Sequence, residues 1–318
     1  MICCRTFGIK LLSSERARLI HTITAKPGLE ALSYDLITQT DTYDEAIPPI
    51  IFLHGLLGCK RNNRSAARQL SSLLRTPVIV PDLRNHGTSF HSLEMNYEVM
   101  SDDMTKLINH LPPNIPKNRG FIMMGHSMGA KVAMIHALRY PDLVKGVISI
   151  DNPPYANSHA SFITFEILHL LTHFTFKCLK QHPEWSLKQL SEYLTKWVEP
   201  NPLIVNYFVS NLEMKNGKIR EKSALRILNE SYEEVVQWYL KNFGDIEQFA
   251  GQANVPPLLL IRATYSEFVG ADVHKHAIAK YFPQYEIQDI NTSHWVVTDD
   301  TKGFIKLVKN WVYKTFKE

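Results

Sequence analysis

The chain has 318 residues, 45% of them hydrophobic and 10% aromatic, which supplies a large core and excludes a disordered or low-complexity protein. Its formal charge of +4 is concentrated at one end: residues 1–26 hold Arg5, Lys10, Arg16, Arg18 and Lys26 against Glu15 alone, and removing them from the 35 basic and 31 acidic residues leaves 30 of each. No basic block remains for a nucleic-acid partner, and no apolar run approaches the roughly 18 residues that cross a bilayer, so neither partner is expected.

Taken in chain order, residues 1–26 have the composition of a mitochondrial presequence. They bear arginine and hydroxyl groups, are nearly free of acids, and place Phe7, Ile9, Leu11 and Leu12 on an amphipathic helix. A mitochondrial location is therefore expected. Cys3 and Cys4 fall in this leader, which leaves Cys59 and Cys178 as a reduced pair with no disulfide framework or zinc site. An extended opening, Leu32 to Thr40, precedes the apolar run Ile50 to Leu53, which ends in His54-Gly55. A helical stretch from Ser65 to Leu74 follows, then a buried strand at Val78 to Val80 and a helix from Met95 to Leu111. Phe121 to Met124 reads as a strand, Ala130 to Tyr140 as a helix, and Val144 to Ile150, Leu258 to Ile261 and Tyr285 to Ile290 as further strands. Near the end Phe304, Leu307, Val308, Trp311 and Val312 recur at helical spacing. Short apolar strands alternating with helices predict an α/β fold with a largely parallel sheet covered on both faces, its core formed by residues 27–151 and 257–318.

Between residues 152 and 256 the strand pattern stops, and a helical cap is expected. Ser186 with Gln189 and Ser231 with Glu234 have the spacing of capping boxes. Leu187, Leu190, Leu194 and Trp197 line one face of the first helix; Tyr232, Val235, Val236 and Tyr239 line one face of the second. A third apolar stretch, Phe162 to Phe176, carries His169 and His173 four residues apart, but no third ligand accompanies them and no metal site is expected. Its apolar side chains are expected to pack between cap and core or to line an acyl pocket.

The chemistry is sharpest from Gly120 to Ala130, G-F-I-M-M-G-H-S-M-G-A. A strand that ends in G-x-S-x-G and passes at once into a helix is a nucleophile elbow: the turn strains the serine backbone and holds the hydroxyl of Ser127 above the sheet edge at the positive end of the helix. Gly125 and Gly129 lack β-carbons, so neighbouring backbone approaches closely. H-G-L-L-G (His54 to Gly58) follows the strand where a second oxyanion donor arises, and the backbone N–H groups of Leu56 and Met128 are the expected oxyanion hole, each worth about 3 kcal/mol in the transition state. In D-L-R-N-H-G (Asp82 to Gly87), Arg84 and His86 are expected to brace loops.

The hydroxyl needs a base, and the base needs a carboxylate. In α/β hydrolases the chain order is serine, acid, histidine. Of the histidines after Ser127, only His294 lies in a loop between the last strand and the terminal helix, with Trp295 beside it to wall the site. The acid has two possible sources. Asp151 ends the strand that follows the nucleophile helix, and is preferred. Glu267 and Asp272 lie in the loop after Leu258 to Ile261, where Ser266 stands in the place at which the family pattern usually carries aspartate.

H-G-L-L-G, D-x-R-N-H-G, G-H-S-M-G-A-K, the strand ending in Asp151 and S-H-W near the end together resemble one branch of the α/β-hydrolase superfamily, over roughly residues 30 to 318. With the leader, the chain is similar to the mitochondrial ethanol acetyltransferases of yeasts and related mitochondrial serine hydrolases. That resemblance implies a triad of Ser127, Asp151 and His294, and transfer of acetyl from acetyl-CoA to ethanol with thioesterase and esterase side reactions. It implies no bound cofactor, since acetyl-CoA enters as a substrate alongside short alcohols and esters. The alternative is a mitochondrial carboxylesterase, lipase or thioesterase that uses water as acceptor. Both share one acyl-serine: with water at about 55 M and an alcohol at about 50 mM, equal partition needs about a 1,000-fold preference, or about 4 kcal/mol, which comes from cap geometry rather than from a motif.

Overall fold

The short runs rich in Ile, Val and Leu form strands, and the 3.6-residue apolar repeats between them form helices that cover those strands. The computed structural model describes residues 19–23, 31–39, 42–156, 158–238, 240, 246–270 and 273–318. The strands are β1 (Leu19–Ile23), β2 (Tyr34–Thr38), β3 (Ile50–Leu53), β4 (Val78–Pro81), β5 (Phe121–His126), β6 (Val144–Ile150), β7 (Leu212–Lys215), β8 (Lys218–Glu221), β9 (Leu258–Ala263) and β10 (Tyr285–Ile290). Eight of them form one sheet in the order β1-β2-β4-β3-β5-β6-β9-β10. β1 and β2 run antiparallel to their neighbours; from β4 to β10 every pairing is parallel. A parallel sheet buried on both faces explains why β3 reads Ile-Ile-Phe-Leu without a polar alternation: all four residues are fully buried.

The helices α1 (Lys60–Leu74), α2 (Tyr97–His110) and α3 (Met128–Arg139) follow β3, β4 and β5 respectively. The cap contributes α4 (Ser158–Gln181), α5 (Leu187–Trp197), α6 (Pro202–Val209), α7 (Leu225–Glu230) and α8 (Tyr232–Val236); α9 (Lys275–Tyr281), α10 (Val296–Asp299) and α11 (Thr301–Phe316) close the chain. On one side of the sheet α2 and α3 bury Met104, Leu107, Val132 and Ile135 against it. On the other, α1 and α11 bury Leu70, Leu74, Phe304, Val308 and Trp311. The cap has its own core, with Leu190, Leu194, Phe208 and Tyr232 at its centre.

The structure corrects several expectations. β1 lies inside the span read as presequence. Its Ile20, Thr22 and Ile23 favour extended backbone, and they pair with β2 from Leu19 opposite Thr38 to Ile23 opposite Tyr34. Thr22 Oγ1 also donates to the buried Asp35 carboxylate at 2.8 Å. The amphipathic set Phe7, Ile9, Leu11 and Leu12, together with Cys3, Cys4, Tyr239 and Asp272, lies outside the described residues. The cap is not wholly helical, because β7 and β8 make a hairpin around Asn216-Gly217, both in the left-handed region (φ 53° and 70°) that a tight two-residue turn requires. Ser186 and Gln189 form their capping box, whereas the Ser231 side chain makes no cap bond and α8 is a single short turn. Trp197 points outward, 65% exposed, because α5 ends there.

One apolar stretch does reach membrane-spanning length. Phe162–Gln181 in α4 has a mean hydropathy of 1.2, by length and composition enough to cross a bilayer. Its threonines, histidines and lysines break the run into pieces, so a search for unbroken apolar residues passes over it. In the fold, Leu168, Leu171 and Cys178 bury one side of this helix in the cap core, while Phe162 and Leu170 are exposed.

Candidate active site

Four successive strands of the parallel sheet end in residues held at positive φ although none is glycine. These are Leu57 after β3 (φ 61°), Asn85 after β4 (65°), Ser127 after β5 (54°) and Asp151 after β6 (52°). Such backbone costs energy at each position and persists only where the surroundings enforce it, and here the strain gathers along one sheet edge. At Ser127, φ 54° and ψ −119° make the sharp turn from strand to helix. The two glycines around it are required by contact. A β-carbon on Gly125 would sit 2.1 Å from the carbonyl oxygen of Gly129, and one on Gly129 would sit 2.4 Å from that of His54.

The carboxyl edge brings the predicted residues together. Asp151 is fully buried; its Oδ2 accepts from His294 Nδ1 at 2.8 Å, and its Oδ1 accepts from the Ala263 N–H at 3.1 Å. With Nδ1–H directed at the carboxylate, Nε2 is the ring nitrogen left for a proton transfer. His294 and Ser127 both line a cavity of about 410 Å³ between sheet edge and cap. Of the alternative acids, Glu267 also lines this cavity, but the carboxylate on His294 is that of Asp151. Ser266 serves its own loop, accepting from the Phe268 N–H at 3.2 Å.

The backbone donors expected for an oxyanion stand on either side of the serine. Met128 begins α3, and Leu56 lies in the loop after β3; both line the cavity, and neither N–H has a partner among the described residues. That loop is fixed from several directions. Leu57 N–H donates to His86 Nε2 at 3.1 Å, the Leu83 N–H donates to His54 Nε2 at 2.9 Å, and from the cap Tyr207 Oη donates to the Leu56 carbonyl at 3.1 Å. These acceptor roles require His54 and His86 to be neutral. Burial agrees: it lowers both pKa values, that of His86 to about 3. Arg84 makes a two-pronged pair with Asp103, at 2.6 and 2.8 Å, and so braces the loop after β4 as expected.

Three contributors had no assigned role in the sequence reading. His126, the residue before the serine, is half-buried and neutral, its pKa pushed by desolvation to about 3, and donates through Nε2 to the His294 carbonyl at 2.7 Å. It holds the base by its backbone. Phe268 stacks on the His294 ring with centroids 3.9 Å apart. Lys131, one turn into α3, is buried and donates to the carbonyls of Val236 and Gln237 at 2.5 and 3.3 Å, bolting the end of α8 to the core. Burial lowers its pKa to about 7. A lysine in the mostly apolar stretch Met128 to Leu138, which holds only one other titratable residue, His136, was the signal for it; Phe268 carried none. Trp295 lines the cavity as expected, its ring 6.2 Å from that of Tyr207. His169 and His173 stand exposed on α4, His169 beside Asn229. Among the described residues no three His, Cys, Asp or Glu side chains cluster as for a metal, and Cys59 and Cys178 are both free thiols.

A strained serine on a strand-to-helix turn, a carboxylate-bound histidine from the last loop and two backbone N–H groups on one cavity are the arrangement expected of a serine-dependent α/β hydrolase site. Residues 48–301 match the α/β-hydrolase fold family, and the chain belongs to it. Within that family it is 36% identical over 279 residues to a probable alcohol acetyltransferase of Saccharomyces cerevisiae, covering 83% of this chain and 78% of that one. It is 34% identical to ethanol acetyltransferase 1 of Eremothecium cymbalariae, covering 82% and 73%. Among solved structures a marine microorganism esterase superposes with a TM-score of 0.70 at 24% identity, over 89% of this chain and 99% of that one, a likeness of fold.

Proposed function

We propose that the protein is an acyltransferase that moves acetyl from acetyl-CoA to ethanol through acetyl-Ser127, giving ethyl acetate, with hydrolysis of thioesters and esters as side reactions. The observation that carries the chemistry is His294, bonded to the buried Asp151, sharing a cavity with the strained Ser127. The alcohol acceptor is supported by the names of the relatives at 34% and 36% identity.

In the proposed cycle, His294 Nε2 takes the hydroxyl proton as Ser127 Oγ attacks the thioester carbonyl carbon. The oxyanion that forms lies between the N–H groups of Leu56 and Met128, and Asp151 stabilises the charged imidazole. The carbon–sulfur bond breaks, the thiolate takes the proton from Nε2, and CoA departs with a thiol. Ethanol then attacks acetyl-Ser127 and gives its proton to Nε2. The bond to Oγ breaks, Ser127 is reprotonated and ethyl acetate leaves. No bound cofactor takes part, because acetyl-CoA is consumed as substrate.

A mitochondrial location is part of the proposal and rests on the basic, acid-poor leader. Because residues 19–23 form β1, processing that spares the sheet ends before Leu19. The functional test is incubation with acetyl-CoA and ethanol, following ethyl acetate by gas chromatography with Ser127→Ala in parallel. Ethyl acetate from the wild type alone is expected; acetate without ethyl acetate would remove the alcohol acceptor. Fluorophosphonate labelling of Ser127 is expected as well, and its absence in folded protein would point to a binding module.

A further inference from the structure

The acceptor is chosen after CoA has left, when acetyl-Ser127 faces a cavity of about 410 Å³ that water and ethanol compete to enter. One wall of that cavity is α8, through Tyr232, Val235 and Val236. The last carbonyls of a helix have no partner within it and need donors from elsewhere. For α8 those donors come from the core. Tyr97 Oη, on α2, donates to the Val235 carbonyl, and Lys131 Nζ, on α3, donates to the carbonyls of Val236 at 2.5 Å and Gln237 at 3.3 Å. Tyr97 and Lys131 are both buried. Lys131 lies four residues after Ser127 on the same face of α3, and its backbone N–H donates to the Ser127 carbonyl at 3.3 Å. The turn that presents the nucleophile thus carries the side chain that holds the α8 wall.

We propose that Lys131 and Tyr97 are positioning residues that set the choice between alcohol and water, by holding the α8 wall closed beside acetyl-Ser127. The inference rests on the acyl-Ser127 reading above and names what decides its acceptor. Two physical arguments support it. Val235 and Val236 turn alkyl groups to the cavity, so a closed wall offers water no hydrogen-bond partner there. The carbonyls behind those alkyl groups would offer one. A buried carbonyl that loses its donor takes water in its place, so without Lys131 two carbonyls draw water into the wall. Such a water competes with ethanol: its oxygen attacks the acetyl carbon, its proton passes to His294 Nε2 and on to Ser127 Oγ as that bond breaks, and acetic acid leaves.

The test compares wild type, Lys131→Met, Tyr97→Phe and Ser223→Ala, each with acetyl-CoA at one ethanol concentration, and records the ratio of ethyl acetate to acetate. Both products leave the same acetyl-enzyme, so the ratio does not depend on how much protein is folded or on how fast it is acylated. A hydrogen bond of ordinary net strength favours the closed wall about fivefold. Tyr97→Phe keeps the ring and should lower the ratio about fivefold; Lys131→Met removes two bonds and should lower it about tenfold or more. Tyr97→Phe carries the test if Lys131→Met does not fold. Ser223→Ala breaks a cap–core bond outside the cavity, from the Gly87 N–H at 3.0 Å, and should lower the melting temperature while leaving the ratio within about twofold. Without ethanol, quenching and weighing the protein should show acetyl leaving Ser127 several-fold faster in Lys131→Met than in wild type. Wild-type ratios and deacylation in both wall variants would overturn the proposal. So would an equal fall in Ser223→Ala, since any loosening of the cap would then admit water. Acetate alone from the wild type would remove the alcohol acceptor instead. The rate of deacylation by water would then decide the role of Lys131, faster in Lys131→Met for it and unchanged against it.

Discussion

Replacing Asp151 by asparagine isolates what the carboxylate does, because asparagine keeps the volume and also tolerates the left-handed backbone found there (φ 52°). The two oxygens of Asp151 accept from two donors: His294 Nδ1–H at 2.8 Å and the Ala263 N–H at 3.1 Å. An amide offers one acceptor oxygen and one donor NH2. If the oxygen stays on His294, two N–H groups face each other at Ala263. If it turns to Ala263, the NH2 faces Nδ1, which must then give up its proton to Nε2, leaving no lone pair to receive the proton of Ser127. In a fully buried site the conflict costs about 1–3 kcal/mol of stability. The second arrangement is the wrong tautomer for a general base, for which a kcat loss of about 10⁴-fold is the precedent, equivalent to about 5.5 kcal/mol. Stopped-flow release of CoA thiol from acetyl-CoA measures kcat, and a melting curve confirms the fold. Near-wild-type turnover in a folded Asp151→Asn protein would refute the assignment and move the acid to the loop that carries Glu267.

Two further perturbations follow from the same geometry. Gly129→Ala places a β-carbon 2.4 Å from the His54 carbonyl and 2.9 Å from Leu53 Cβ, so the elbow and the oxyanion loop must separate; about 1–3 kcal/mol of stability and at least about 100-fold in kcat should go with them, and wild-type kinetics would show that the contact yields freely. Lys131→Met addresses the bolt between α3 and α8 through pH: the folded lysine titrates near 7 and the unfolded one near 10.5. Between those values the unfolded state holds a proton that the folded state has released, so this group makes the wild type more stable with rising pH, by about 1.4 kcal/mol per unit. Urea unfolding at about pH 7.5 and 8.5 should show that increment in the wild type relative to the variant, and parallel pH dependences would mean that Lys131 keeps an ordinary pKa.

How much of this was legible in the sequence follows from where each signal resides. The inner strands Ile50–Leu53 and Val144–Ile150 announced themselves because nearly every residue in them is buried, while the edge strand Tyr285–Ile290, only partly buried, showed an alternation of apolar and polar residues. Ser127 was legible because the elbow needs two glycines at fixed spacing, and His294 because a single histidine sits between the last strand and the last helix. The acid stayed open between two loops. Nothing local distinguishes Asp151 from a turn-forming aspartate, and only the pairings of β6 with β9 and of β9 with β10 carry it beside the loop that holds His294. The β7–β8 hairpin did have its signal, Asn216-Gly217 between two short runs, but it was outweighed by the helical patterns on either side. β1 was hidden for a different reason, since basic leader composition and edge-strand propensity overlap in residues 19–23. The cap's role in closing the site depends on contacts between residues far apart in the chain, Lys131 with Val236 and Tyr207 with Leu56, which no sequence spacing reveals.

The most direct measurement of the central claim is to quench the enzyme within its first turnover on acyl-CoA, without alcohol, and weigh the intact protein and its peptides. The account predicts one acyl group, carried on the peptide containing Ser127, absent from Ser127→Ala and discharged as the ethyl ester when ethanol is added. Full turnover with no acyl mass on that peptide, and undiminished turnover in Ser127→Ala, would contradict it.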